Sequence, residues 1–220
     1  MATLILMSGF DKEGFFETVS TELRKSIIDT SNLLFVASTP DDFERIDEYT
    51  QRIFRYFYES GICFKDYKVL DKRMSNSQQQ NAVTNAACVF LMGGYARVQL
   101  TYLKEQNLID LLRGHPGVVI GLSAGAINMA KRSVIANPYH PPTSVYKGMN
   151  LVDITVIPHF DINKNEFIKN ELLPLTYDGT IYGLYDNAII TIQNDIIKHT
   201  GTIYELKQGN IRLLTVGDPM

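Results

Sequence analysis

The feature that most restricts the fold of this chain is a rhythm. Short runs of strand-like apolar residues alternate with stretches at helical spacing through the first two-thirds of the sequence. Residues 3–8 form an apolar run ending at Gly9, and a helical stretch over 13–29 follows. NLLFVAS (32–38) is a second strand. Thr39-Pro40-Asp41-Asp42 then offers a helix cap, a proline at the first helical position and two acids in the first turn. Behind it Phe43, Ile46, Ile53, Phe54 and Phe57 recur on one helical face. Residues 64–70 are a third strand, and RMSNSQQQ (73–80) reads as a polar loop before a short helical segment. Residues 88–92 are a fourth strand closed by Gly93-Gly94, residues 95–113 are helical, and Val118–Leu122 is a fifth strand. Such an order predicts an α/β fold, a mostly parallel sheet sandwiched by helices.

After residue 130 the rhythm breaks. Asn137-Pro-Tyr-His-Pro-Pro142 is a surface loop by composition, residues 151–157 are a strand ending at Pro158-His159, and residues 163–172 are a short helix. From Gly179 onward, turn-separated runs (IYGLYD, AIITIQ, IIKHT, TIYELKQG, IRLLTV) predict a β-rich C-terminal part with antiparallel strands. No repeat or linker divides the chain, so one domain over residues 1–220 is expected.

The composition narrows the function classes. With 45% hydrophobic residues and a net charge of -3, the chain can fill a core and has no basic face for nucleic acid or an anionic membrane. No apolar run approaches the ~20 residues of a membrane span, and MATLILMSGF reads as a first strand and not as a leader. The two cysteines, Cys63 and Cys88, lie in apolar runs and read as buried free thiols of a reducing, cytoplasmic compartment. No His/Cys/acid spacing suits a metal, and no phosphate loop or dinucleotide fingerprint occurs, so no cofactor is expected.

The chemistry gathers at VVIGLSAGAINMA (118–130), where Ser123 stands between two glycines after a strand and before a helix. A tight turn would account for the glycines. A nucleophile elbow accounts also for the serine, which it lifts from the sheet end while the next N–H faces a developing oxyanion. Serine then needs an imidazole. Of the four histidines, His115 sits in a helix-ending turn expected to face solvent, His140 in the proline-rich loop and His199 in a polar turn. His159 alone directly follows a strand, where parallel sheets collect functional groups. The carboxylate that would hold it is Asp161, Glu166, Asp178 or Asp186; Asp186 ends a strand, and Asp161 is too near in sequence to reach round to the ring easily. Gly93-Gly94 could supply a second oxyanion donor.

LMGGYARVQL, VVIGLSAGAINMA, VIPHFD and YGLYDNAII, in this order, resemble the peptidase E (aspartyl dipeptidase) and cyanophycinase family of serine peptidases. The resemblance covers roughly residues 1–205 and implies a fold like the class I glutamine amidotransferase domains. It implies Ser123 as nucleophile, His159 as base, and the backbone N–H groups of Gly94 and Ala124 as the oxyanion hole. The family's Gly-x-x-Glu is matched by Gly183-Leu-Tyr-Asp186, with aspartate in the acid's place. Tyr95 stands where the family carries Asn or Asp after its glycines, which bears on substrate preference. The implied activity is hydrolysis of small peptides, with dipeptides or isopeptides bearing an acidic N-terminal residue as candidates, by a monomer or homodimer. The alternative is a non-catalytic binding or regulatory domain on the same fold.

Overall fold

A computed structural model of the chain describes residues 2–136, 138 and 142–220. The elements run β1 (Thr3–Met7), α1 (Glu17–Ser26), β2 (Leu33–Val36), α2 (Phe43–Glu59), β3 (Tyr67–Leu70), α3 (Asn76–Asn85) and β4 (Cys88–Leu91). Then come α4 (Ala96–Glu105), α5 (Ile109–Arg113), β5 (Val118–Leu122), α6 (Ala124–Met129), and a hairpin of β6 (Arg132–Ile135) and β7 (Ser144–Lys147). The chain closes with β8 (Thr155–Ile157), β9 (Ile181–Leu184), β10 (Ile189–Gln193), β11 (Ile196–Thr200), β12 (Ile203–Lys207) and β13 (Asn210–Leu213).

The main sheet has seven strands in the order β11-β10-β1-β5-β4-β2-β3. Strands β1–β5 are parallel, and β10 and β11 extend the sheet antiparallel. The expected mostly parallel sheet between helices is present. Its central strands alternate faces. Leu6, Leu34, Val36, Val89, Leu91 and Val119 pack with residues of α3–α6, while Ile5, Met7, Phe35, Phe90, Ile120 and Leu122 pack with α1 and α2. Because both faces are covered, these strands read as unbroken apolar runs. Ile53 and Phe57, fully buried on α2, each remove about 1.5–3 kcal/mol worth of side chain from water.

A second sheet, β13-β12-β9-β8, packs on its own apolar cluster around Phe160, Ile168 and Leu172. The expected antiparallel strands of the β-rich C-terminal part are present in β10–β13, with one departure: β9 pairs parallel with β8; β10 and β11 extend the main sheet. The segment between β9 and β10 therefore crosses from one sheet to the other.

Other departures have local causes. RMSNSQQQ is not a loop throughout, because Ser75 and Gln78 form a reciprocal capping box that opens α3. Only Gln79 and Val83 of that helix are buried, so it carries almost no apolar stripe to read. The helix after Pro40 starts at Phe43, not at the proline, because residues 39–42 first close a turn in which the Asp42 N–H donates to the Thr39 carbonyl (3.2 Å). The stretch 95–113 splits into α4 and α5 at Asn107, whose φ is 56°. β8 begins only at Thr155, and the stretch 163–172 forms one α turn, then a π turn (Ile168–Leu172), continuing as 3-10 helix to Asp178. Cys88 is buried and free as expected, whereas the free Cys63 is exposed, beyond the end of α2. The proline-rich loop, with His140, lies outside the described residues apart from Pro138 and Pro142. No helix among the described residues is long and apolar enough to cross a membrane.

Candidate active site

The site forms where the carboxyl ends of β1, β2, β4 and β5 meet the ends of β8 and β9. Ser123 sits between β5 and α6 with φ 48° and ψ -105°, a conformation that non-glycine residues adopt only when their surroundings impose it. The two flanking glycines explain the imposition. A side chain at Gly121 would come within 2.6 Å of the Ala126 nitrogen and the Met129 sulfur, and one at Gly125 would overlap the Leu91 carbonyl. Helix α6 can therefore fold back against the strand that precedes it and against β4. The Ser123 N–H donates to the Met7 carbonyl (2.9 Å), tying the elbow to β1.

His159 follows β8 and also has a positive φ, 55°. Its Nε2 lies 3.0 Å from Ser123 Oγ and its Nδ1 lies 2.6 Å from Asp186 Oδ1. A carboxylate accepts at Nδ1, so the neutral ring carries its proton there and Nε2 is left to accept from the serine. Asp186 follows β9, the parallel neighbour of β8, with Ile157 opposite Gly183 in register. Gly183 has no room for a side chain, since the Phe160 ring packs where a Cβ would be. That ring belongs to the residue next to His159, and the Phe160 N–H donates to the Leu184 carbonyl (3.0 Å). Burial by itself would raise the Asp186 pKa. The hydrogen bond and charge of His159, with the Ser8 hydroxyl, outweigh it and hold the carboxyl below its ordinary range. Neither Asp161 nor Glu166 contacts His159: Asp161 accepts from the backbone and side-chain amides of Asn163 at 2.9 Å, and Glu166 lies in the first turn of a short helix.

The Gly94 and Ala124 N–H groups have no acceptor among the described residues. Gly94 has φ 133° and sits so close to Ser38 that any side chain would overlap its hydroxyl. The Ser38 hydroxyl in turn donates to the Gly93 carbonyl (2.6 Å), fixing the glycine pair beside Ser123. Tyr95 is 60% exposed at the cavity mouth, just before α4.

Ser123 and His159 open onto a cavity of about 290 Å³. That is near the lower end of small-ligand pockets, ~300–1,000 Å³. Its walls are mainly apolar, from Phe10, Ile46, Tyr49 and Met92, with polar groups from Thr39, Asp42 and Arg45. Burial raises the Tyr49 pKa, so this hydroxyl stays protonated. The basic residues nearest the motifs in sequence are engaged elsewhere: Arg97 stacks on Tyr146 at 4.4 Å, Lys131 faces Asp153 at 3.6 Å, and Arg132 donates to the Leu175 carbonyl (3.0 Å). Arg45, on α2, is the one Lys or Arg among the described residues that line the cavity.

Two expectations about histidines are corrected. His115 is buried, not solvent-facing, and burial holds its pKa below the ordinary imidazole value, with the Val83 backbone offsetting part of the effect. His199 lies within β11, not in a turn, nearly buried and 3.1 Å from the Asp218 carbonyl. Two residues escaped the sequence reading altogether. Ser8, fully buried at the end of β1, accepts from the His159 N–H (2.7 Å) and contacts Asp186 Oδ1 (2.9 Å) and the Leu184 carbonyl (3.0 Å). Arg45 was hidden among the charges of α2. The only signal for Ser8 was its place at a strand end before a glycine.

A serine on a strand-to-helix elbow, joined through one imidazole to a carboxylate, is the arrangement of the serine hydrolases. The chain belongs to peptidase family S51, whose model matches residues 4–200, and is a serine peptidase. No curated protein sequence matches it significantly. Among solved structures it is similar to a peptidase from an acI-B1 Actinobacterium, with a TM-score of 0.72 at 17% identity, over 99% of this chain and 96% of that one. It is also similar to a putative peptidase E protein from Listeria monocytogenes EGD-e, with a TM-score of 0.65 at 16% identity, over 91% of this chain and 98% of that one. At these identities the two structures speak for the fold.

Proposed function

We propose that the protein hydrolyses small peptides through an acyl-enzyme on Ser123. The observation that carries this reading is the continuous contact from Ser123 Oγ through His159 Nε2 and Nδ1 to Asp186 Oδ1, at 3.0 and 2.6 Å. Ser123 Oγ adds to the scissile carbonyl carbon while His159 Nε2 takes its proton. Asp186 stabilises the resulting imidazolium, and the free N–H groups of Gly94 and Ala124 receive the oxyanion. Collapse breaks the C–N bond, and the leaving amine takes the proton from His159. Water then attacks the ester with the same base, releasing the acid and restoring Ser123.

The small cavity favours peptides of a few residues over folded proteins. Arg45 favours an acidic residue on the acyl side, since a guanidinium pairs with a carboxylate in two parallel hydrogen bonds. A panel of Asp-X, Glu-X, Asn-X and N-blocked peptides, run beside a fluorophosphonate serine probe, tests both levels. Probe labelling that disappears in Ser123→Ala, with turnover of Asp-X or Glu-X, is the expected result. Labelling that persists in Ser123→Ala overturns the nucleophile. Equal turnover of acidic and neutral peptides by wild type and Arg45→Ala overturns the specificity alone.

A further inference from the structure

We propose that Ser8 is a positioning residue for the proton relay, a buried hydroxyl that holds His159 and Asp186 in register with each other. The proposal rests on the functional reading above. A hydroxyl has one proton to give and can accept as well. Ser8 Oγ accepts from the His159 backbone N–H at 2.7 Å, which pins the base on its strained, positive-φ turn. Its proton goes to Asp186 Oδ1 at 2.9 Å or to the Leu184 carbonyl at 3.0 Å. Asp186 Oδ1 is the same oxygen that meets the imidazole at 2.6 Å.

One atom thus touches the backbone of the base, the reacting oxygen of the acid and the strand that carries the acid. The arrangement is needed because base and acid both come from the small sheet, whereas the nucleophile belongs to the main sheet. Ser8 extends β1, which pairs on one side with β5 up to Met7–Leu122 and on the other with β10 up to Met7–Ile189. Ser8 is therefore on the main-sheet strand beside Ser123, and its hydroxyl bonds across to the ends of β8 and β9. With Asp186 and His159 side chains 42% and 56% exposed, a fixed anchor on the protein side is what keeps water from loosening the pair.

The test compares wild type with Ser8→Ala, which leaves the site smaller, and with Ser8→Cys, whose larger thiol fills it but hydrogen-bonds weakly. Steady-state kinetics on the best peptide from the panel are read beside the low-field ¹H resonance of the His159 ring proton, assigned by its absence in His159→Gln. Both Ser8 variants are expected to lose kcat by about 10–100-fold with KM little changed, the scale of a small misplacement of reacting groups. The low-field resonance is expected to broaden or vanish in both, because the carboxylate whose hydrogen bond moves the ring proton downfield and slows its exchange is no longer held. If Ser8→Ala does not fold, Ser8→Cys carries both readouts. Wild-type kcat, or a wild-type resonance in either folded variant, overturns the proposal. The resonance needs no turnover, so a wild type without peptidase activity defeats the functional reading and leaves the positioning role decided by the spectrum.

Discussion

Gly9 and Asp186 compete for one volume. A methyl group on residue 9 would lie within 2.6 Å of the Asp186 carboxyl carbon and closer still to Oδ1. Glycine is required here for space and not for backbone freedom, since its φ is not in the left-handed region. Gly9→Ala should leave the fold intact, because residue 9 lies beyond β1, and should displace the carboxylate from His159. A fall in kcat of roughly 10²-fold is expected for such a shift, with an unchanged circular dichroism spectrum. Unimpaired turnover in Gly9→Ala would mean that the acid tolerates displacement.

The elbow stores strain. A serine held at φ 48° and ψ -105° costs about 1–3 kcal/mol relative to relaxed backbone. Ser123→Ala keeps the strain and Ser123→Gly releases it, so the glycine variant should be the more stable by about 1 kcal/mol, net of glycine's extra chain entropy. Both should lose hydrolysis by orders of magnitude. Urea unfolding of the two variants checks the difference, and equal midpoints would argue that the turn is relaxed.

The acid is tested by three single substitutions. Asp186→Asn should reduce kcat by ~10²–10⁴-fold, because an amide cannot stabilise imidazolium and favours the wrong tautomer. Asp161→Asn and Glu166→Gln should stay near wild type, since neither side chain contacts His159. The pH dependence of stability gives a second reading. The folded Asp186 pKa lies below its unfolded value, so its contribution is complete above the ordinary carboxylate pKa of ~3.9 and is lost as pH falls through the lower, folded value. Asp186→Asn should flatten that acid segment of the unfolding curve. Wild-type slope in the variant would detach the carboxylate from the network.

His115 gives a separate pH effect far from the chemistry. Its folded pKa is held down by burial, so the unfolded chain takes up its proton first as pH falls below ~6.5. The contribution is intact above that value and is lost between it and the lower folded pKa. His115→Leu should therefore lessen the loss of Tm between neutral and mildly acidic pH and leave peptide hydrolysis unchanged. Reduced kcat in this variant would contradict its placement as a purely internal side chain.

The strand-helix rhythm and the elbow were legible because each rests on local chemistry: buried strands read as apolar runs, and glycines at 121 and 125 mark a helix folded tightly on a strand. The meeting of Ser123, His159 and Asp186 was foreseen from strand-end positions, with the motif resemblance weighting the choice of acid. What escaped was non-local. Nothing near Ser8 announces that β8 and β9 will end beside it, and nothing in YGLYDN announces that the chain will change sheets there. Arg45 looks like any solvated helix charge until α2 is set against the cavity. The start of α3, five residues earlier than the expected helical segment, was hidden for the opposite reason, a local signal at Ser75 and Gln78 outweighed by a polar composition.

The change of sheets between β9 and β10 also sets an order in time. A chain released from synthesis only as far as Phe160 would contain Ser123 and His159 but neither Asp186 nor the strand that closes β1 on its open side. The last partner of the proposed relay arrives just ahead of β10, the strand that pairs with β1 on its open side. On the proposed mechanism, a nascent chain therefore carries a dormant serine until β9 has paired beside β8 and brought Asp186 to His159.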